Sequence, residues 1–222
     1  MAETVLITGA SQGIGRETSL LFARKGYNLV LAARQLDRLE ALAQEIRAMG
    51  VDAIAIPTDV RDPDQVSALA DKALQHYGAI DVLINNAGIY MLGPVDKFSL
   101  DDWHAVIDTN LWGYIHTIYA FLPHFLERGK GTIVNVGSIG GKVPIPYQTP
   151  YTASKYAVTG MTEALHAELE AKGIRVCGIH PNFIKTDLME RAIFRGKDEQ
   201  DAQQRHDFVA NAVKSPLLET PE

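Results

Sequence analysis

The sequence predicts an α/β protein, a doubly wound parallel sheet with helices on both faces, folded as a single domain over residues 1–222. Three observations carry that expectation. Short β-branched runs alternate with longer amphipathic segments from end to end. The runs are apolar nearly throughout instead of alternating, as strands covered on both faces are. The first of them leads directly into a glycine-rich turn and a helix start, TGASQGIG.

In order, the strand candidates are TVLIT (4–8), NLVLAA (28–33), AIAI (53–56), DVLIN (81–85), TIVNV (132–136) and IRVCGI (174–179). Between them, helical periodicity covers Ile14 to Lys25, Leu36 to Met49, Pro63 to Tyr77, Leu100 to Glu127 and Thr152 to Lys172. Asp62 before Pro63 supplies an N-cap and a first-turn proline, and Gly26, Gly50, Gly78 and Gly173 stand where left-handed C-caps belong. Repeated strand–helix units imply right-handed crossovers and parallel strands, with ligands expected at the carboxyl ends of the strands. After Asp187 the character changes. Phe194 to Asp207 is polar with no core stripe, which reads as a solvated or mobile segment, with a substrate lid over 187–214 as the functional alternative.

Composition narrows the classes. The chain has 222 residues, 46% hydrophobic and 22% charged, the balance of a globular domain, and no apolar run long enough to cross a bilayer. The N-terminal residues lack a basic segment followed by an apolar stretch, and a single cysteine excludes an internal disulfide, so a cytoplasmic protein is expected. Cys177 reads as a small buried apolar side chain. A net charge of −6 argues against general attraction to nucleic acid or acidic membranes. The seven histidines show no metal-ligand spacing.

The turn TGASQGIG has glycines at 9, 13 and 15, a spacing unlike the generic G-x-G-x-x-G fingerprint. Placed between strand and helix, it lets backbone N–H groups and the helix dipole approach a pyrophosphate, although a tight turn with no ligand has the same form. Where an acidic residue would bind a ribose 2′-hydroxyl after the second strand, the chain has Ala33 and Arg34. A guanidinium binds a 2′-phosphate with paired charge-assisted hydrogen bonds, which favours NADP over NAD; the alternative is an exposed surface arginine. Further along, Tyr151 and Lys155 stand four apart at the start of a helix. By itself such a pair is common on any helix surface.

Taken with NNAG (85–88), Asn110, Ser138 and the pair Asp59–Val60, these motifs make the chain resemble the short-chain dehydrogenase/reductase family from about Thr4 to Asp187. The resemblance implies a Rossmann-type fold and hydride transfer between a nicotinamide and a carbonyl or alcohol. It assigns Asn110, Ser138, Tyr151 and Lys155 to catalysis. Gly9, Ser11, Gly13, Ile14, Gly15, Arg34, Asp59, Val60, Asn86, Ala87, Gly88, Ile184 and Thr186 are then expected at the cofactor, together with Tyr151 and Lys155. Tyr151 is the expected acid/base, its pKa drawn down by Lys155 and by oxidised nicotinamide. Ser138 is expected to donate to the substrate oxygen, the plainer alternative being a cap on its own turn. Asn110 is expected to hold a helix distortion and a water leading to Lys155, or to bond local backbone.

Val143, Ile145, Tyr147, Phe183 and Met189, with Tyr90 and Leu92 nearby, are expected to frame an apolar substrate pocket. In the family the helix carrying Asn110 and that carrying Tyr151 form a dimer interface, so a homodimer or homotetramer is expected. Two departures stand out. Asn182 occupies the glycine position of the usual Pro-Gly after the sixth strand, where its tolerance of left-handed backbone is expected to preserve the turn. The usual last helix and seventh strand have no counterpart before Glu222, which reads either as a naturally short chain or as a truncated one. Two other functions share these features: a nucleotide-binding sensor or scaffold without turnover, and an epimerase or dehydratase of the extended branch. Intact Ser138, Tyr151 and Lys155 oppose the first, and the glycine spacing and chain length oppose the second.

Overall fold

The structure is a computed structural model, and it describes residues 2–182, 184 and 192–213. Six parallel strands form the main sheet: β1 (Thr4–Thr8), β2 (Asn28–Ala33), β3 (Ala53–Pro57), β4 (Val82–Asn85), β6 (Gly131–Val136) and β7 (Ile174–Ile179). Their order is β3-β2-β1-β4-β6-β7. Two-residue strands β5 (Met91–Leu92) and β8 (Ile193–Phe194) pair separately. The helices are α1 (Gly13–Arg24), α2 (Leu36–Arg47), α3 (Pro63–Tyr77), α4 (Leu100–Ile107), α5 (Gly113–Arg128), α6 (Thr149–Leu169) and α7 (Glu199–Val213).

The continuous apolar strands have a geometric cause. Successive side chains of a strand face opposite sides. Val5, Ile7, Leu29 and Leu31 therefore meet α1 and α2 through Leu20, Leu39, Leu42 and Ile46. Leu6, Val30, Leu83 and Ile133 face the other way, onto Leu69, Ile118, Phe121, Phe125 and Leu169 of α3, α5 and α6. Burying each such side chain contributes about 1.5–3 kcal/mol, so neither face tolerates a polar replacement. The strand order reverses its progression at β1: β2 and β3 lie to one side, β4, β6 and β7 to the other, with all six strands parallel. A crevice forms at the carboxyl ends of the strands there.

Local signals act as expected at several ends. Asp62 accepts hydrogen bonds from the backbone N–H groups of Asp64 and Gln65, and Gly78 closes α3 in the left-handed region at φ 73°. The helix expected over 100–127 is instead two helices joined by a π segment, Asp108–Trp112, centred on Asn110. The polar stretch expected to be solvated forms α7. Asp198 caps it by accepting from the Asp201 N–H, Arg205 pairs with Asp201 one turn back, and Val209 supplies its buried anchor. Capping and i,i+4 pairing thus replace the missing stripe. The parts of the expected lid at 187–191 and 214 lie outside the described residues.

Cys177 is exposed, against the expectation of burial. β7 is the edge of the described sheet, and its burial alternates, with Ile174 and Val176 inside and Arg175 and Cys177 outside. Asn182 does not take up a left-handed backbone. Among the described residues Tyr147, at φ 65°, is the one non-glycine that does.

Candidate active site

Tyr151 and Lys155 project from the first turns of α6 into the crevice at the end of β6 and are 9% and 4% exposed. The Lys155 Nζ donates to the Val136 carbonyl at 2.8 Å, and the same oxygen accepts from the Tyr114 hydroxyl at 3.0 Å. Nζ also lies 5.4 Å from the centre of the Tyr114 ring and 5.9 Å from that of Tyr151. Ser138 begins the turn after β6, where its hydroxyl accepts from the Gly140 N–H at 3.1 Å. That is the capping role considered for it, and it coexists with a position on the cleft wall beside Tyr151.

Asn110 is fully buried in the π segment. Its Oδ1 accepts from the Ile89 N–H at 2.8 Å, while Nδ2 donates to the Ile89 carbonyl at 3.0 Å and to the Ser154 hydroxyl at 3.1 Å. Ser154 in turn donates to the Tyr151 carbonyl at 2.7 Å. The extra residue in the helix turn thus ties the chain after NNAG to the helix bearing Tyr151.

Gly9, Gln12, Gly13, Ile14, Asn86, Ala87, Gly88, Ile89, Val136, Gly137, Ser138, Tyr151, Lys155, Pro181, Asn182 and Ile184 line one cleft of about 760 Å³. A second hollow, about 420 Å³, continues past Gly9, Ala87 and Gly88 to Ala33, Arg34, Thr58, Asp59, Val60 and Arg61. Ser11 is buried within the turn. The carboxylate of Asp59 is held by Arg61 Nη2 at 2.6 Å, and that hydrogen bond keeps it below the usual carboxylate range. Arg34 is exposed at the rim of the same hollow. Thr186, Phe183 and Met189 lie outside the described residues. Val143 and Tyr147 are exposed and Ile145 half-buried on the loop before α6, and none of the three is on the wall of the larger cleft.

A family model for short chain dehydrogenases matches residues 3–196. The chain belongs to the short-chain dehydrogenase/reductase family. It is 39% identical over 191 residues to the 3-oxoacyl-[acyl-carrier-protein] reductase FabG of Staphylococcus aureus, covering 86% of this chain and 78% of that one. A short-chain dehydrogenase of Sphingobium yanoikuyae, solved in complex with NADPH, superposes with a TM-score of 0.83 at 33% identity over 99% of this chain and 80% of that one. One from Burkholderia phymatum, in complex with NAD, superposes at 0.89 with 31% identity, covering 98% and 81%. This short-chain dehydrogenase is therefore an oxidoreductase that uses a nicotinamide cofactor on a carbonyl or alcohol.

The residues of this dehydrogenase fit a dinucleotide. Gly9 turns at φ 65° and Gly13 at φ 55°, and a Cβ at Gly9 would come within 2.9 Å of the Ala87 backbone. A Cβ at Gly15 would overlap the Gly9 carbonyl oxygen. The turn is thus drawn tight against NNAG, leaving the start of α1 open to a phosphate. Asn86 makes this possible: its Nδ2 donates to the Thr8 carbonyl at 2.9 Å and to the Gly9 carbonyl at 3.2 Å, while Thr8 Oγ1 accepts from the Asn86 and Ala87 N–H groups. Gly15→Ala is expected to force the turn apart, costing roughly 1–3 kcal/mol. Calorimetry should show the lower Tm, and cofactor titration, with the same cost falling on the bound turn, a weakening of roughly 5- to 150-fold, because a tenfold step in the constant is ~1.4 kcal/mol.

Sequence reasoning missed the buried polar relay behind the site. Asn85 Nδ2 donates to Asn135 Oδ1 at 3.0 Å, Asn135 Nδ2 donates to Thr162 at 2.9 Å, and Thr117 donates to Asn85. These bonds lock β4 and β6 to α5 and α6. Asn135 inside an apolar strand run was the signal available, since a buried amide needs partners. Tyr114 is buried and holds the carbonyl that Lys155 uses.

Electrostatics correct one expectation. Burial raises the Tyr151 pKa, opposed by the neighbouring Ser138 hydroxyl, and burial pushes Lys155 down to about 8. The lysine does not by itself draw the phenol down, because both groups are desolvated together and its ammonium faces the Val136 carbonyl.

Proposed function

We propose that this chain is an NADP(H)-dependent carbonyl reductase in which Tyr151 is the acid. The observation that carries the reading is the buried Tyr151 hydroxyl, set beside Ser138 and Lys155 on the same cleft wall as the glycine turn. When bound, the nicotinamide supplies the hydride to the carbonyl carbon. Ser138 donates to the substrate oxygen and holds it against Tyr151, which passes its phenolic proton to that oxygen as the carbon takes the hydride. Lys155 would orient the cofactor ribose and, together with the charge of oxidised nicotinamide, would favour the phenolate left behind. Asn110 acts through the Ile89 and Ser154 bonds as a positioning residue.

Arg34 on the rim of the adenosine-side hollow, with no acidic side chain in its place, supports NADP over NAD. Arg34→Ala should weaken NADPH binding roughly 10- to 100-fold, the loss of one to two charge-assisted bonds, with little change for NADH. Fluorescence titration with both cofactors measures this, and equal wild-type affinities would overturn the assignment.

Turnover is tested with a ketone and aldehyde panel by following NADPH oxidation. Binding without turnover of any member would support a nucleotide-binding scaffold instead. The 3-oxoacyl thioesters named for the Staphylococcus aureus relative belong in the panel. We also propose a homo-oligomer: Trp112, Tyr119 and Leu126 around and along α5, and Tyr156 on α6, are 40–72% exposed, a pattern that suits a helical interface. No helix among the described residues is long and apolar enough to cross a membrane, and composition supports a cytoplasmic location.

A further inference from the structure

Ser138 is placed by the strand that ends just before it. β6 and β7 run in register as far as Val136 and Ile179, and their ladder continues past both. The Gly137 N–H donates to the Ile179 carbonyl at 2.7 Å, and the Ile139 N–H donates to the Pro181 carbonyl at 2.9 Å. Ser138 lies between these two donors in the chain, and His180 lies between their two acceptors. The half-buried His180 ring occupies the space of the side chain that Gly137 lacks: a Cβ at Gly137 would come within 2.6 Å of Nδ1 and 2.9 Å of Cε1. The far edge of the ring reaches toward α6, where a Cβ at Gly178 would meet His180 Nε2 at 3.3 Å and Thr162 Cγ2 at 3.5 Å.

Ser138 has an extended backbone, with φ −168° and ψ 159°. Successive side chains of an extended chain face opposite ways, so the imidazole backs the strand on the side away from the Ser138 hydroxyl. Gly137, Ser138 and Pro181 line the cleft, and His180 stands behind that wall. The buried Nδ1 has no hydrogen-bond partner among the described residues, so that nitrogen has no polar task among them. What the ring supplies is a flat, rigid surface laid against a glycine, whose backbone is the freest to move. A donor must meet the substrate oxygen within about 3 Å, and a displacement of ~1 Å in such a site costs on the order of 100-fold in rate.

We propose that His180 is a positioning residue whose ring, laid against Gly137, fixes the backbone from which Ser138 donates to the substrate. This rests on the reductase reading of Ser138 and Tyr151, and it adds to that site a residue that touches neither substrate nor cofactor.

The test is a double-mutant cycle on kcat, read at saturating NADPH with the best substrate of the panel. His180→Ala should lower kcat roughly 10- to 100-fold, and Ser138→Ala about 10²- to 10³-fold. The combined variant decides. If His180 acts through the Ser138 hydroxyl, His180→Ala should change kcat by less than about threefold once that hydroxyl is gone. A ring that only supports the fold would cost the same in both backgrounds, so additive losses overturn the proposal, as does an unchanged kcat in the single variant. Should His180→Ala lose its thermal transition, Gly137→Ala reads the same contact from the other side. Its Cβ enters the space of the ring, and its loss in kcat should likewise vanish in the Ser138→Ala background; a loss that persists there overturns the proposal. Ser138→Ala without loss, or a wild type that reduces no member of the panel, removes the reductase reading and this proposal with it, and either result is seen without any change at His180.

Discussion

Tyr151→Phe is expected to lower kcat by about 10²–10⁴ while leaving the fold and cofactor affinity nearly intact. The substitution removes one oxygen from a ring that is packed edge-on against Tyr90 and closed in by the turn after Ser138. Phenylalanine keeps that packing, so the loss falls on proton transfer and not on shape. Cofactor titration and thermal melting should match wild type. Single-turnover kinetics should place the defect in the chemical step. Retained turnover would remove Tyr151 from the mechanism.

Lys155→Met should be equally inactive yet more stable near neutral pH. A lysine 4% exposed, with its pKa pushed down to about 8 from 10.5, is held in the fold at the expense of its charge. That depression corresponds to a destabilisation on the order of 3 kcal/mol at pH 7, offset in part by the contacts with Val136 and Tyr114. The sign follows from proton counting. Between pH about 8 and 10 the unfolded lysine keeps a proton that the folded one has lost, so wild-type stability rises with pH in that window. The advantage of Lys155→Met should therefore be largest below pH 8 and shrink toward pH 10. Denaturant melts of both proteins across that range measure it, and a methionine variant that is less stable at pH 7 would show that the ammonium is fully compensated by its partners. Such a residue, retained against stability, is expected where function requires the charge.

Much of the frame was legible because it rests on local rules. Asp62–Pro63 and Gly78 mark the ends of α3 by hydrogen bonding and backbone freedom that no distant contact overrides. The apolar runs at β1, β2 and β4 announced burial on both faces, and parallel order followed from chain handedness. α7 escaped detection because its support is a cap, an ion pair and one buried valine, which a search for apolar periodicity passes over. Cys177 was misplaced for the converse reason: an apolar run does not say which alternate residues will find a covering helix.

The site divides the same way. Motif spacing determined, from the sequence alone, that a strand–turn–helix would carry the three glycines, that Tyr151 and Lys155 would share a helix face, and that Ser138 would stand at the end of a strand. Those are properties of neighbours along the chain, set by steric limits and helical period. Only the tertiary structure decided that Asn110 would spend its amide on Ile89 and Ser154, that Asn86 would clamp the glycine turn, and that the Lys155 ammonium would face Val136 and not the phenol. Each of these depends on which carbonyl or hydroxyl is brought within about 3 Å by elements distant in sequence. It depends also on desolvation, which exists only once the core has closed and which raises the Tyr151 pKa against the opposing hydrogen bond with Ser138.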